Sequence, residues 1–361
     1  MATAILASSA LCCLNTQIAL DNLAATPAGR FEQSGVIQAL KSPQNTRGYE
    51  QITNAVTNSR RLPTTGTTPP TVEIKVRKPS CETPLTSAAD LCDSGTATVD
   101  PYDYLETGVT NIVRLSGSIT KAEFDDLCDS PDERRVQKLA DFAADLEKQM
   151  SIVLSQDIYA ELGTYADATA STGATTKAIP VINTDGTLNS SAFSRIPSEF
   201  RQQGFRGRPI MVGGEKLALT DDIRILGGTG TSLNLDPGAY AELTSSWYDY
   251  DFDDTINTLQ TTTGDSYAMT WTPGAIQMTE WYRNVGIYEE IKENSIETRL
   301  VINGITYDYF MFYDPCTHEW TFHLQKYFDI FAIPDASFAC NDGNGRVLWE
   351  LSCGAPDCSI F

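Results

Sequence analysis

Residues 130–163 read SPDERRVQKLADFAADLEKQMSIVLSQDIYAELG, and this stretch predicts one long helix around which the chain is organised. Ser130 and Glu133 form a capping box, Pro131 suits the first helical position, and Gly163 is expected to end the helix. Apolar side chains recur at helical spacing at Leu139, Phe142, Ala143, Leu146, Met150, Val153, Leu154, Ile158 and Leu162. The helix would be roughly 45–50 Å long. An ordinary core helix fits this pattern equally well, and the surrounding sequence favours a scaffold helix.

Composition limits the possible functions of the chain. With 361 residues it is long enough for two or three cores, and its 41% hydrophobic content is typical of neither disordered nor membrane-spanning proteins. It carries 47 acidic and 26 basic residues, for a net charge of −21. So acidic a chain should not bind nucleic acid by counterion release, although it could lie near DNA. Two histidines in the whole chain limit histidine-based acid–base and metal chemistry.

The N-terminal segment is polar. Residues 15–59 are rich in Asn, Thr, Gln and Ser, with short apolar islands at 18–23 and 36–40. Such a segment buries little by itself. Two interpretations stay open: an extended arm that packs on other surfaces, including other subunits, or a flexible terminus.

Residues 60–118 predict a long β-hairpin. One side is TVEIKVRK at 71–78, where apolar and charged residues alternate, and the other is VTNIVRL at 109–115. The sequence between them is mostly polar and small. Because an isolated two-stranded hairpin is marginal in water, it requires support from elsewhere. The alternative is the edge of an ordinary sheet.

The remaining elements alternate between helices and strands. We expect a short helix at 121–128, a strand at 178–182, a helix at 190–203 bent or started at Pro197, and a buried strand at 208–214 (RPIMVGG). A mixed α/β region follows over 215–290. Asn303-Gly304 predicts a two-residue hairpin turn between strands 299–302 and 305–313. Long and short strands are expected at 320–333 and 346–351.

The sequence predicts no catalytic, cofactor-binding or metal-ligating residue. The glycine-rich stretch 227–231 lacks the lysine of a phosphate-binding loop and reads as a turn. Acidic residues Asp249, Asp251, Asp253 and Asp254 could attract calcium, but the EF-hand spacing fails here and at 341–345. Both acidic stretches are therefore interpreted as solvated turns.

Histidine and cysteine placement adds no site. His318 and His323 are five residues apart in a predicted strand, so they should face opposite sides and not share a metal. Nine cysteines exclude a complete intrachain disulfide framework. For Cys81 and Cys92 a disulfide, a metal site and free thiols stay open, and free thiols are the prediction because no C-x-x-C pair exists.

The order of these elements carries a resemblance. A polar arm, a long hairpin, a long helix, a shorter helix before a G-R-P-I-M-V strand, a mixed domain and long aromatic strands together resemble the major capsid proteins of tailed bacteriophages, whose fold is shared with encapsulins. Three stretches are similar to that family as well: WTPGAIQ at 271–277, the segment 313–334, and NGRVLW at 344–349.

The resemblance implies an α+β capsid fold with a defined division. It assigns an N-terminal arm to 1–59, an extended loop to 60–118, a peripheral domain with spine helix 131–162 to 119–205, an axial domain to 206–314, and a return to the peripheral domain with the tail to 315–361. Some family members crosslink a loop lysine to an asparagine of a neighbouring subunit. Lys75 and Lys78 lie in the hairpin, but nothing identifies the asparagine, so this chemistry is not carried over.

The expected function is that of a structural protein rather than an enzyme. The resemblance implies a chain that assembles with itself, as hexamers and pentamers, into an icosahedral shell around double-stranded DNA in the virion. Assembly would occur in the host bacterial cytoplasm, with scaffolding, portal and decoration proteins as partners and no membrane. An acidic inner wall would let DNA slide. The alternatives are a protein-cargo shell like an encapsulin, a tail protein, or a β-rich hydrolase or carbohydrate-binding protein.

Overall fold

The computed structural model mixes helices with three sheets. It describes residues 34–43, 45, 60–61, 72–77, 102–120, 131–165, 177–182, 191–205, 208–214, 217, 250–259, 266–282, 290–292, 295–314, 316, 319–333 and 345–353. The helices are α1 (Gly35–Lys41), α2 (Pro131–Tyr165), α3 (Ser191–Gln202) and a 3-10 helix (Asp254–Leu259). The strands are β1 (Arg60–Arg61), β2 (Val72–Arg77), β3 (Tyr102–Thr107), β4 (Asn111–Ile119), β5 (Lys177–Ile182), β6 (Ile210–Gly213), β7 (Tyr250–Phe252), β8 (Ser266–Trp271), β9 (Ile276–Trp281), β10 (Glu290–Lys292), β11 (Ser295–Ile302), β12 (Ile305–Asp314), β13 (Glu319–Ala332) and β14 (Arg346–Cys353). The expected mixture of helix and sheet is confirmed at this level.

Helix α2 confirms the predicted long helix. Its 35 residues correspond to about 52 Å. The predicted end at Gly163 is wrong, because the backbone stays helical there and continues to Tyr165. The proposed cap, Ser130, lies outside the described residues. The predicted apolar face is buried at Leu139, Ala143, Leu146, Met150, Leu154, Ile158 and Leu162, while Phe142 and Val153 are half-buried.

The largest sheet has six antiparallel strands. Its order is β10-β11-β12-β13-β4, and β9 also pairs with β13. The predicted Asn303-Gly304 turn joins β11 and β12, with Ile302 opposite Ile305. Both turn residues have positive φ, 52° and 73°, which a two-residue turn matched to the twist of a hairpin requires.

Strand β13 confirms the predicted long aromatic strand, and it changes neighbours along its length. One edge pairs with β4 from Trp320 to Phe328. The other edge pairs first with β12, ending at Gln325, and then with β9, beginning at Tyr327. Lys326 therefore lies in a gap between β12 and β9, which we call the seam.

Helix α2 packs on one face of this sheet, as predicted for the 320–333 region. The rings of Phe142 and Phe322 lie 5.5 Å apart between their centroids. Gly117 on β4 allows this approach, because a Cβ at that position would lie only 2.7 Å from Phe142 Cζ. The long helix and the long strands thus share one apolar core.

A five-stranded sheet forms the second layer, in the order β5-β14-β8-β6-β7. The predicted strands at 178–182, 208–214 and 346–351 are all present, and all four residues of β6 are buried. The predicted helix at 190–203 is α3, with Pro197 inside it. The predicted helix at 121–128 lies outside the described residues.

The predicted hairpin needs a correction. Strand β2 pairs with β3, with Val72 opposite Thr107, and β1 pairs with the other edge of β2. The second side predicted at 109–115 does form a strand, β4, but it pairs with β13 instead. The reason is that Val113 and Leu115 face the core under α2, where the burial of apolar surface outweighs local pairing.

Part of the predicted N-terminal arm is folded into the subunit. Helix α1 buries Val36, Ile37, Ala39 and Leu40 and contacts α2, β6, β7 and β9. The interpretation of this island as extended is therefore wrong for 35–41. The two larger sheets combine strands from several of the expected domains, and the five-part division stays a prediction.

Candidate functional site

The three-stranded sheet β1-β2-β3 is the first candidate for an intermolecular contact. Six registered pairs join β2 to β3, from Val72–Thr107 to Arg77–Tyr102. Within the described part of the chain, no strand of the two larger sheets pairs with it. Both outer edges, β1 and β3, therefore present backbone groups that can pair with another strand.

The face of the six-stranded sheet opposite α2 is the second candidate. Large apolar side chains are exposed there: Ile112 by 48%, Val301 by 46% and Phe312 by 38%. Ile112, Tyr327 and Trp281 stand side by side on three adjacent strands, and the rings of Trp281 and Tyr327 lie 4.9 Å apart. Aromatic and aliphatic side chains in such a row are typical of a surface that a partner covers.

Asp253 is the centre of a buried polar cluster that fastens α1. Its Oδ2 accepts hydrogen bonds from the Ser34 hydroxyl, from the Val36 N–H at 3.0 Å and from the Ser151 hydroxyl at 2.9 Å. Its Oδ1 accepts from the N–H and the hydroxyl of Thr255, at 3.0 and 2.6 Å. One carboxylate thus ties α1, α2 and the 3-10 helix together.

The start of α1 is also bonded to the middle of α2. The Ser34 N–H donates to Glu147 Oε1 at 3.0 Å, and Asn303 Nδ2 donates to Glu147 Oε2 at 3.3 Å. Burial raises the pKa of the Glu147 carboxyl above its usual range, although these two donors and Lys41 oppose the rise. Glu147 therefore links the start of α1, α2 and the turn between β11 and β12.

Asn45 fastens the chain just beyond α1. It is fully buried, and its amide nitrogen donates to the carbonyls of Leu40 and Ile276 at 3.0 and 2.9 Å. Its amide oxygen accepts from the Trp271 indole at 3.3 Å and from the Gly274 N–H at 2.9 Å. All four bonds available to the side chain are made, which fixes the chain direction after α1.

A buried charge cluster occupies the seam. Lys41 Nζ and Lys326 Nζ both contact Glu280 Oε1, at 2.9 and 3.1 Å. Lys326 also donates to the Tyr282 hydroxyl at 2.8 Å. Although burial alone would raise it, these ammonium groups hold the pKa of Glu280 below its ordinary value. Burial lowers the pKa of Lys326 to about 8, although Glu280 opposes the fall.

The structure corrects one interpretation of the acidic residues. Asp251 is half-buried and Asp254 is exposed, but Asp253 is only 5% exposed, so a solvated turn is wrong for Asp253. The physical reason is the five donors that surround it. Among the described residues, no group of three or more His, Cys, Asp or Glu side chains is placed to hold a metal ion. Asp249, stretch 227–231 and positions 341–344 lie outside the described residues.

The other residues singled out in the sequence are dispersed. His323 lies on β13, where Nδ1 contacts the Ser116 hydroxyl and burial and Arg114 lower its pKa. His318, Lys78, Cys81 and Cys92 fall outside the described residues, and only the backbone of Lys75 is described. In the part that is described, no helix has the length and apolar composition to cross a membrane.

The sequence analysis did not single out Glu280 or Lys326, and it took Asp253 for a turn residue. A local sign exists for Lys326, which interrupts the aromatic run of β13, and Ser34 stands as a helix cap directly before the apolar island of α1. A lone lysine in a long apolar strand indicates a buried partner. For Glu280 no comparable sign exists, because it lies in an ordinary alternating strand.

Solved structures include chains with a similar fold. The capsid of cyanophage A-1(L) is 12% identical, with a TM-score of 0.49, and the match covers 91% of this chain and 95% of that one. The capsid of Ralstonia phage GP4 is 11% identical, with a TM-score of 0.45 and coverage of 83% and 85%. The SrpI encapsulin of Synechococcus elongatus is 10% identical, with a TM-score of 0.39 and coverage of 70% and 79%. No family model and no curated protein matches the chain.

Proposed function

We propose that this chain is a structural capsid protein that assembles with itself into a closed icosahedral shell around double-stranded DNA. The observation that carries the proposal is the sheet β1-β2-β3, which pairs with neither of the other sheets among the described residues. A sheet with strands of two, six and six residues is marginal without further packing. A neighbouring subunit would supply that packing.

The face of the six-stranded sheet opposite α2 supports the same proposal. Exposed Ile112, Val301 and Phe312 lie on it, and two arginines, Arg114 and Arg299, are exposed beside them. Aromatic residues and arginine are enriched at protein interfaces. In a chain with net charge −21, guanidinium groups on one face complement acidic surface on another copy.

The charge of the chain also fits DNA as contents rather than as a ligand. A surface with a net charge of −21 repels phosphates, so the shell would enclose DNA without sequence-specific binding. The proposal includes hexamers and pentamers of this chain in the virion, assembly in the host cytoplasm, and scaffolding, portal and decoration proteins. It assigns no catalytic role, and it keeps the five-part division from N-terminal arm to tail.

The decisive experiment removes the segment between β2 and β3. Because Arg77 pairs with Tyr102, residues 79–101 can be replaced by a short Gly/Ser turn without disturbing the β2–β3 register. We expect the shortened protein to keep a cooperative thermal melt and to form no closed particles in negative-stain micrographs. The intact protein, prepared in parallel, should form particles at high concentration or with a scaffolding partner.

The outcomes separate the possibilities. If the intact protein stays monomeric under all these conditions, the shell proposal is wrong. If particles form but contain protein and no nuclease-protected DNA, the shell encloses protein cargo instead. If the shortened protein unfolds, residues 79–101 belong to the subunit core and the division at 60–118 fails.

A further inference from the structure

Two lysines from distant parts of the chain share one carboxylate oxygen in the seam. Lys41 is the last residue of α1, and Lys326 lies on β13 between its pairings with β12 and β9. Both ammonium groups lie within 3.1 Å of Glu280 Oε1. The Lys326 side chain is fully buried, whereas that of Lys41 is 29% exposed.

The two ammonium groups are close enough to repel each other. Like charges that share one acceptor repel each other, and burial in the seam gives little water to screen them. Lys326 is held by a second acceptor, the Tyr282 hydroxyl at 2.8 Å, and by the face of that ring, 4.2 Å away. For Lys41, the ion pair with Glu280 links the end of α1 to β9.

We propose that Lys326 competes with Lys41 for the Glu280 carboxylate, so that loss of the charge on Lys326 tightens the attachment of α1 to the six-stranded sheet. The cluster would then set how firmly the N-terminal segment is held on its own subunit. This device does not depend on the shell proposal, because it acts within a single chain.

The charge on Lys326 can be removed in an accessible range of pH. Burial brings its pKa to about 8, while Glu280 and Asp308 favour the charged form and Lys41 disfavours it. The groups that act directly on Lys326 are Lys41 of α1, Glu280 of β9, Tyr282 just after β9, and Asp308 of β12. One step further out, Arg299 of β11 contacts Tyr282 and Asp308, and Glu147 of α2 and Glu280 act on Tyr307 of β12. Burial raises the pKa values of both tyrosines, so neither phenol ionises in this range.

The test is amide hydrogen exchange on the full-length chain at pH 7 and pH 9.5, corrected for the intrinsic rate. The helical amide of Gln38, which bonds to the Ser34 carbonyl, reports α1, and amides in the middle of α2 serve as the internal reference. We expect the protection of α1 relative to α2 to rise by about two- to fivefold between the two pH values, the range of partly exposed ion pairs.

Matched variants assign the effect. Lys326→Met should show the higher relative protection already at pH 7 and no further rise at pH 9.5. Lys41→Met should lower the relative protection of α1 and remove its pH dependence, while Lys148→Met, at an exposed position of α2, should behave like the unmodified chain.

Two results would overturn the proposal. One is an unmodified protein in which the relative protection of α1 is the same at both pH values. The other is a folded Lys326→Met protein in which α1 is less protected than in the unmodified chain, because Lys326 would then support the attachment rather than compete with it. If Lys326→Met does not fold, the pH series on the unmodified chain and on Lys41→Met still decides.

Discussion

Helix α1 and the sheet β1-β2-β3 both lie in polar sequence ahead of α2, but the subunit holds them differently. The α1 segment is buried between the two larger sheets and α2. The three-stranded sheet pairs with neither larger sheet in the part of the chain that is described. Polar composition therefore does not decide whether a segment packs on its own chain.

The difference depends on a few buried polar partners. Asp253 and Asn45 together make nine side-chain hydrogen bonds, which join the start of α1 and the chain beyond its end to α2, the 3-10 helix and residues 271–276. The apolar face of α1 can be buried favourably only because the backbone and cap groups of the helix still have hydrogen-bond partners after they leave water. Removing these partners should therefore destabilise the subunit, whereas disrupting β1-β2-β3 should not.

The largest effect is expected at Asp253. Asp253→Ala leaves buried donors on Ser34, Val36, Ser151 and Thr255 without their acceptor, so the free energy of unfolding should fall by about 3–5 kcal/mol. Urea denaturation followed by circular dichroism measures this. Asp254→Ala is the matched control, because Asp254 is exposed, and it should change stability by less than about 0.5 kcal/mol. Equal effects of the two variants would contradict the role given to Asp253.

A smaller loss is expected at Asn45. Asn45→Ala removes four side-chain hydrogen bonds and leaves the Trp271 indole and the Gly274 N–H unpaired, which should cost about 2–3 kcal/mol. The same urea titration detects it. Unchanged stability would mean that α1 is held by apolar contact alone. Buried polar partners would then not explain why α1 packs on its own subunit while β1-β2-β3 does not.

Stability should depend on pH because of the charged groups in the seam. The pKa of Lys326 is about 8 in the folded chain and near 10.5 in the unfolded one. Between these values the unfolded state binds more protons, so the free energy of unfolding should rise with pH, by about 2.5 kcal/mol from pH 7 to pH 10. Urea midpoints from pH 7 to pH 10 test this, and Lys326→Met should remove the rise. A fall with pH that Lys326→Met abolishes would reverse the assignment.

The smallest effect on the subunit is expected in β2. Ile74 pairs with Leu105, and Ile74→Pro removes a ladder hydrogen bond there. Because this sheet pairs with neither larger sheet among the described strands, the free energy of unfolding should change by less than about 1 kcal/mol, while particle formation should be lost. Ile74→Val is the control and should preserve both. A large loss of subunit stability in Ile74→Pro would show that β1-β2-β3 belongs to the subunit core.

Local sequence patterns predicted most of the helices and strands. The wrong predictions concern contacts between residues that are far apart in the sequence. The Asn303-Gly304 turn and the spacing of apolar residues along α2 depend on neighbours in sequence, so they were readable. The pairing of β4 could not be predicted in this way. Residues 71–78 and 109–115 both have the composition of strands, but β4 pairs with β13, which lies about two hundred positions later in the chain. Asp253 was misread for the same reason, since its donors come from three separate segments.

The position of β14 has a consequence for how the chain is synthesised. This strand lies between β5 and β8, so the five-stranded sheet cannot be completed until residue 353 has left the ribosome. At about 5–20 residues per second, the interval after β8 emerges is roughly 4–16 s. During that time β8 has an open edge that can pair with a strand of another nascent chain. On one polysome, the β8 strands of neighbouring nascent chains can therefore mispair until β14 emerges and covers that edge.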